Sequence, residues 1–294
     1  MKKTTRAMLK ALTEVNGVPG FEEDVSVVIQ KYLPKSVEVS HDRLGSLICT
    51  KTGASDGPRI MIPGHMDEIG FMVKLITSDG FIRFAPLGGW PDQVLLSQRV
   101  IVRGRKGDVP GLIGAKPPHL MSGDERGKMV KKDAMFIDVG AKNEKEVTDK
   151  LGIRVGDPIA PDSPFGTMKN KKLLIGKAWD DRVGCGMFVS ILEALEKQEH
   201  PNTVYGVGTV QEEVGTRGAQ TSAEVVKPDI CLVVESGIAA DVPGIKPEET
   251  QGKLDGGPLL YVLDGGMIGH RRLRDFITDI ADECKIPYQL SLLT

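Results

Sequence analysis

The second half of the chain alternates strand-like apolar runs with amphipathic helical patterns, and this alternation limits the folds open to it. The run at 173–175 precedes a helical pattern over 183–198, and the run at 203–210 precedes another near 216–226. A further run at 259–263 leads to a helical pattern over 270–284 and a last strand at 288–293. Such alternation predicts a mixed, mostly parallel sheet with helices on both faces. In these sheets ligands bind beyond the carboxyl ends of the strands.

The middle of the chain has a different pattern. Between about residues 71 and 164, short β segments are separated by Gly, Pro and Asp, and only 143–151 has a helical pattern. The first 70 residues again have the strand and helix pattern of the second half. We therefore predict an α/β fold in two parts. Residues 1–70 and 165–294 form a discontinuous catalytic domain, and residues 71–164 form a β-barrel-like insertion domain.

Charge and hydropathy exclude several classes of partner. Lys and Arg total 38 against 40 for Asp and Glu, a net charge of −2, so the chain lacks the overall positive charge that attracts nucleic acid. No apolar run approaches the roughly 20 residues that cross a bilayer. The amphipathic opening also lacks the apolar centre of a signal peptide. We expect a cytoplasmic protein with neither nucleic acid nor membrane as a partner.

Acidic and histidine side chains follow the predicted strands. His65 and Asp67 follow the apolar run 60–62, and Glu212 and Glu213 follow the run that ends at residue 210. Two more sites come after strand-like runs, namely the pair Asp180-Asp181 and the single residue Glu235. Because strands of one sheet end at a common edge, we expect these groups to meet.

One histidine with several carboxylates suits a borderline-hard divalent cation such as Zn²⁺, Co²⁺ or Mn²⁺. Each group alone has a simpler explanation, since a His-x-Asp triplet is often a hydrogen-bonded turn and acidic pairs are usually solvated. Four acidic clusters at one edge, however, would be costly to bring together without cations. The combination therefore favours a metal site, and two metals could share one carboxylate.

The same segments resemble a known family. PGHMDEIGFMV (63–73), KPPHL (116–120), KAWDDRVGCG (177–186) and GTVQEEVGTRGA (208–219) are similar to the tetrahedral aminopeptidases. This is the glutamyl or deblocking aminopeptidase family of dinuclear metallopeptidases. The similarity extends over essentially the whole chain, and it implies a zinc-peptidase-like α/β fold.

The resemblance also assigns a role to each matching residue. It implies that His65 binds one metal, that Asp180 bridges two and that Glu213 binds the other. Glu235 completes the first metal position where the family usually has Asp. Glu212 is the implied general base. Asp67 is the implied hydrogen-bond partner of His65, and the peptide bond from Asp180 to Asp181 is expected to be cis.

The implied enzyme is an aminopeptidase that holds two divalent ions per subunit, Zn or Co with Mn possible. A water activated by the metals attacks the peptide bond, and Glu212 moves the proton to the leaving amine. The free α-amine of a peptide substrate binds one metal, so residues leave from the N-terminus. The family also implies dimers, formed through the insertion domain, that assemble into a dodecamer.

One departure keeps alternatives open. The family's second metal takes a further His near the C-terminus, and this sequence ends at Thr294 before such a segment, so the chain looks C-terminally truncated. An inactive scaffold that lacks this His is therefore one alternative. An endoglucanase-type glycosidase is another, because some relatives carry that label. The role of His119, in the KPPHL segment, is left open between a lid, an interface and a structural residue.

Overall fold

The structure is a computed structural model that describes residues 2–246 and 252–292. It divides into two compact units, Met1–Glu235 and Ser236–Thr294. Every helix in the described residues is too short or too polar to cross a membrane.

The helices are α1 (Lys3–Glu14), α2 (Glu23–Gln30), α3 (Gly123–Arg126), α4 (Trp179–Leu195), α5 (Arg217–Val226) and α6 (Arg271–Glu283). The strands of the first unit are β1 (Glu38–His41), β2 (Leu47–Lys51), β3 (Ile60–His65), β4 (Gly70–Ile76), β5 (Ile82–Leu87), β6 (Arg99–Gly104), β7 (Gly107–Gly114), β8 (Phe136–Asp138), β9 (Pro158–Pro161), β10 (Gly166–Thr167), β11 (Leu174–Ile175), β12 (Val204–Thr209) and β13 (Ile230–Cys231). Those of the second unit are β14 (Leu259–Asp264), β15 (Met267–Ile268) and β16 (Gln289–Leu292).

A five-stranded mixed sheet forms the centre of the first unit, in the order β1-β2-β12-β3-β13. β12 and β13 run parallel to β3, whereas β1, β2 and β12 pair antiparallel. His65, the last residue of β3, lies opposite Thr209, the last residue of β12. The two parallel strands therefore deliver the chain segments that follow them to the same edge of the sheet.

Side chains alternate between two cores on the faces of this sheet. Leu47 and Cys49 of β2 pack with α1, α2 and α4, whereas Ile48 between them packs with α5. At Gly206 of β12 an added Cβ would lie 2.6 Å from a ring carbon of Phe188, so only glycine lets α4 approach this closely. The predicted α/β fold, with helices on both faces of a mixed sheet, is confirmed.

A closed barrel of six strands, in the order β4-β5-β8-β7-β6-β9, lies between residues 70 and 161. The β segments predicted for this stretch are confirmed, and its core includes Phe71, Ile82 and Ile137. The helical pattern over 143–151 gives a short π-helix, Glu146–Lys150, whose first amide donates to Asn143 Oδ1 at 3.0 Å. The boundaries of the insertion domain, 71–164, remain a prediction.

Three of the predicted strands lie outside the central sheet. β11 pairs with β10 in a separate two-stranded ladder and does not join the main sheet. β14 and β16 are parallel, are connected by α6, and form a three-stranded sheet with β15 in the second unit. The sequence analysis had assigned β11, β14 and β16 to the central sheet, because an apolar run does not specify which sheet a strand joins.

Candidate metal centre

The site is built around His65, which is 3% exposed at the end of β3. Its ring Nε2 lies 2.8 Å from Asp180 Oδ1, 3.7 Å from Glu235 Oε2 and 3.8 Å from Glu212 Oε2. The structure thus brings the predicted site residues to one edge of the sheet. We refer to His65, Asp180, Glu212, Glu213 and Glu235 as the His65 cluster.

Asp180 reaches the cluster from the start of α4. The backbone there is irregular: Ala178 has a left-handed φ of 54°, and the peptide bond between Asp180 and Asp181 is cis, as the resemblance implies. The two neighbouring carboxylates have different partners. Asp180 faces the His65 ring, whereas Asp181 accepts hydrogen bonds from the His65 amide at 3.0 Å and the Gly184 amide at 2.9 Å.

Asp181 is fully buried behind His65, and the sequence analysis gave it no role of its own. An added Cβ at Gly184 would lie 2.3 Å from Asp181 Oδ2, so the carboxylate fills the space left by the missing side chain. Only the adjacent Asp pair pointed to this residue in the sequence.

Glu212 and Glu213 lie just after β12, and their backbone is held by Asp67. The fully buried carboxylate of Asp67 accepts from the Glu212 amide through Oδ1 and from the Glu213 amide through Oδ2, each at 3.0 Å. Its Oδ1 also lies 3.6 Å from His65 Nδ1, whereas the Asp67 backbone oxygen lies 3.0 Å from that nitrogen. Asp67 therefore orients both the imidazole ring and the two glutamates.

The charges of the cluster perturb one another. Burial alone would lower the pKa of His65, but Asp180, Asp67 and Glu235 raise it to about 11. The hydrogen bond from His65 lowers the pKa of Asp180. Burial, followed by the charge of Asp180, raises the pKa of Glu213 to about 7.

Two further carboxyl groups at the site respond to burial in the same direction. Burial raises the pKa of Glu212, and burial followed by the charge of Glu235 raises the pKa of Asp181 to about 9. Several acidic groups therefore compete for one imidazolium. A cation placed among them would relieve their mutual repulsion.

The donors fall into two groups that share His65. One contains His65, Asp180 and Glu235, the other His65, Glu212 and Glu213, and within each group the ligand atoms lie within 4.8 Å of one another. One imidazole with several carboxylate oxygens fits Zn²⁺, Co²⁺ or Mn²⁺. The second group pairs Glu213 with His65 and Glu212, whereas the resemblance pairs it with Asp180.

A buried polar network beside the cluster escaped the sequence analysis. Glu68 Oε1 lies 2.7 Å from Lys177 Nζ and 3.7 Å from a guanidinium nitrogen of Arg182, and all three side chains are at most 7% exposed. Lys177 also donates to Asn16 Oδ1 at 2.6 Å. Glu68 lies in the segment 63–73 and both Lys177 and Arg182 lie in 177–186, but the sequence analysis gave none of the three a role.

The histidine in the KPPHL segment belongs to neither of the two donor groups found among the described residues. His119 is exposed in a short 3₁₀ turn, Pro118–Leu120, that belongs to the barrel region. Its role stays open.

Comparison with known proteins assigns the family. The sequence profile described as M42 glutamyl aminopeptidase matches residues 45–294, and a second profile, AMPT, matches residues 3–28. The chain therefore belongs to the M42 glutamyl aminopeptidase family, and it is a peptidase, an enzyme that hydrolyses peptide bonds. This confirms the resemblance drawn from the motifs.

Individual relatives are similar to this chain over nearly its whole length. The glutamyl aminopeptidase of Lactococcus lactis is 35% identical over 285 residues, which cover 96% of this chain and 79% of the relative. A TET aminopeptidase from the marine sediment archaeon Thaumarchaeota archaeon SCGC AB-539-E09 is 46% identical with a TM-score of 0.95, over 99% of this chain and 81% of that one. The Pyrococcus horikoshii TET1 peptidase, which can assemble into a tetrahedron or a large octahedral shell, is 28% identical with a TM-score of 0.86, over 98% and 84%.

Proposed function

We propose that this peptidase is a dinuclear-metal-dependent aminopeptidase that releases N-terminal residues from peptides. The observation that carries the proposal is the pair of donor groups that share His65 at the sheet edge. Family membership supplies the aminopeptidase activity. The geometry supports the metal dependence, since the two donor groups offer two adjacent positions for cations.

His65, Asp180, Glu213 and Glu235 would hold two divalent cations, Zn²⁺ or Co²⁺ with Mn²⁺ also compatible. When bound, the cations would supply an acidified water and positive charge for the oxyanion that develops during hydrolysis. The buried carboxylate of Asp67 holds the His65 ring and the amides of the two glutamates in fixed positions. Such outer partners fix the orientation of ligands.

Glu212 is the proposed general base. Its carboxylate belongs to the second donor group, lies 3.8 Å from His65 Nε2 and is about one-third exposed, so it is both near the proposed cations and open to solvent. It would accept the proton of the attacking water and return it to the leaving amine. A positioned carboxylate of this kind contributes about 10²–10⁴-fold to a rate.

The proposed partners are peptide substrates and further copies of the chain. The related TET assemblies support a homo-oligomer, for which we propose dimers, formed through the barrel region 71–164, that build a dodecamer. A cytoplasmic location is part of the same proposal.

A substitution at Glu212 tests the proposal. Glu212→Gln removes the base and keeps the size of the side chain. With Zn²⁺ or Co²⁺ supplied, we expect kcat on aminoacyl-p-nitroanilides to fall about 10²–10⁴-fold while metal content is retained. The control Glu224→Gln changes an exposed residue of α5 and should leave kcat unchanged.

Three results would contradict the proposal. They are full hydrolysis after removal of metal by a chelator, equal cleavage of N-acetylated substrates, and a Glu212→Gln variant as active as the unaltered chain. Metal-independent cleavage of cellulose would favour the glycosidase alternative. Lack of bound metal and of hydrolysis across a broad peptide panel would favour the inactive scaffold.

A further inference from the structure

We infer that Glu22 is a positioning residue that sets the direction of Glu212 and Glu213 through the backbone of Gln211. The inference rests on the proposed function, because it concerns the proposed base and its neighbouring ligand. Glu22 lies next to the first turn of α2 and is far from Glu212 in sequence.

The carboxylate of Glu22 has an unusual use. The residue occupies the N-cap position of α2, where the shorter Asp, Asn, Ser or Thr side chain normally accepts from amides of the first turn. Within the described part of the chain, Glu22 makes no such capping bond. Its Oε1 instead accepts from the Gly20 amide at 2.8 Å and the Gln211 amide at 3.0 Å, and the residue is only 5% exposed.

Gln211 needs this support because its backbone is strained. Its φ of 55° is in the left-handed region, which costs a residue other than glycine about 1–2 kcal/mol. The hydrogen bond from its amide to the buried Glu22 carboxylate offsets part of that cost. Without the bond, Gln211 would relax towards an ordinary φ and rotate the chain that follows it.

The residues that follow Gln211 are those proposed to act in catalysis. The amides of Glu212 and Glu213 are held by Asp67, as described above, so two buried carboxylates hold three consecutive amides. Asp67 fixes the position of the two glutamate amides. Glu22 fixes the left-handed turn before them. It thereby sets the direction in which the side chains of Glu212 and Glu213 point.

The proposed positioning of the turn requires an oxygen at position 22 that accepts hydrogen bonds. It does not require a negative charge there. Glu22→Gln keeps a carbonyl oxygen that can accept both amides, whereas Glu22→Met fills a similar volume without an acceptor. Glu22→Ala removes the side chain altogether. Glu23→Ala, at the next and exposed position, is the matched control.

The test uses the full chain loaded with Co²⁺ or Zn²⁺ and measures kcat, KM and metal content on the same samples. We expect Glu22→Met and Glu22→Ala to lower kcat about 10–100-fold, with KM within about threefold, because a displacement near 1 Å can cost about 10² in rate. Glu22→Gln and Glu23→Ala should stay within about threefold of the unaltered kcat. In Co²⁺ titrations followed by calorimetry, the Met variant should bind one metal equivalent more weakly, since Glu213 is displaced.

Several outcomes would overturn the inference. If the Met variant keeps the unaltered kcat and Co²⁺ affinity, Glu22 does not position the turn. If Glu22→Gln lowers kcat as much as Glu22→Met does, an acceptor oxygen at position 22 is not sufficient to position the turn. Glu22→Met keeps the test decisive should Glu22→Ala fail to fold. Lack of activity and of bound metal in the unaltered chain would instead refute the proposed function, so the two failures are distinguishable.

Discussion

Arg182 shows how much of the site's support comes from single buried residues. The side chain has no exposed surface, and its guanidinium donates to the backbone oxygens of Met66, Leu12 and Val15 at 2.6, 2.6 and 3.0 Å. It thus ties α1 and the segment after β3 to the first turn of α4, close to Asp180. Loss of the guanidinium would leave these buried carbonyl oxygens without their hydrogen-bond donor. It would also remove a positive charge 3.7 Å from the buried carboxylate of Glu68.

We therefore predict that Arg182→Met lowers the free energy of unfolding by about 3–5 kcal/mol, as expected when one partner of a buried ionic network is removed. Arg105→Met, at an exposed position on the barrel, should change it by less than about 0.5 kcal/mol. Urea unfolding of both variants measures the difference. Equal stability of the two variants would mean that Arg182 is not a structural tie.

Gly88 is a second single residue on which the cluster depends. It has a φ of +85°, and an added Cβ would lie 2.5 Å from Ile69 Cγ2 and 3.0 Å from Glu213 Oε2. At the neighbouring Gly89, an added Cβ meets nothing within 4 Å among the described residues. Gly140, with a φ of +73°, is similarly open within that part of the chain.

We predict that Gly88→Ala weakens Co²⁺ binding about tenfold, because Glu213 must shift. Gly89→Ala should bind Co²⁺ as the unaltered chain does. Gly140→Ala should lose about 1–2 kcal/mol of stability from its left-handed backbone, with unchanged Co²⁺ affinity. Isothermal titration with Co²⁺ and urea unfolding separate the two effects, and unchanged affinity in Gly88→Ala would contradict the prediction.

At the level of elements, the turn between β1 and β2 is tied to α5 by Asp42. Its Oδ1 accepts from the amides of Leu44, Gly45 and Ser46 at 2.8–2.9 Å, and its Oδ2 accepts from the Thr221 hydroxyl at 2.6 Å. Burial alone would raise the pKa of Asp42, but the hydrogen bonds from Thr221 and the turn lower it overall. The ionised form is therefore favoured in the folded state.

This lowered pKa sets a pH dependence. The stabilisation is fully present above the unfolded-state pKa, near 3.8, and is lost as the pH falls through the lower folded-state value. We predict that Asp42→Asn costs about 1–2 kcal/mol at pH 7 and that the difference shrinks as the pH falls below 3.8. Urea unfolding across this pH range measures it, with the exposed Asp56→Asn as control. A difference that persists at low pH would contradict the assignment to the ionised carboxylate.

The sequence could predict the site residues that follow strands of the central sheet. His65, Glu212 and Glu213 follow directly from the apolar runs of β3 and β12, because parallel strands deliver their ends to one edge. Asp180 does not follow a strand of the central sheet, because β11 pairs with β10 in a separate ladder. The irregular start of α4 places its carboxylate beside His65 instead. Its role as a metal ligand stays a prediction of the family motif, while the assumed route through the main sheet was wrong.

The supporting residues could not be predicted from local patterns. Glu22 and Arg182 act through backbone groups at least 116 positions away along the chain, and hydrogen bonds to a backbone leave no trace in the partner's side-chain sequence. The order of strands in the sheet was likewise inaccessible, because an apolar run specifies a strand without specifying its neighbours.

At the level of the whole molecule, all of the candidate ligands lie in the unit Met1–Glu235, and so do Trp90 and Trp179. Tryptophan fluorescence therefore follows the unfolding of the unit that holds the His65 cluster. A cation that binds only the folded state stabilises it by mass action.

We predict that Zn²⁺ or Co²⁺ at about 100 times its dissociation constant raises the stability reported by tryptophan fluorescence by about 2.7 kcal/mol. Addition of a chelator should reverse the change. Coincident unfolding curves with and without saturating metal would show that the cluster does not hold a cation in the folded unit.

The most direct test of the central claim is to measure metal content and aminopeptidase activity on one preparation as Co²⁺ or Zn²⁺ is added to metal-free chain. The account predicts binding that saturates at two equivalents per chain, with hydrolysis of aminoacyl-p-nitroanilides that appears as the metal binds and is absent from Glu212→Gln. Hydrolysis by metal-free chain, or two bound equivalents with no hydrolysis of any N-terminally free peptide, would contradict it.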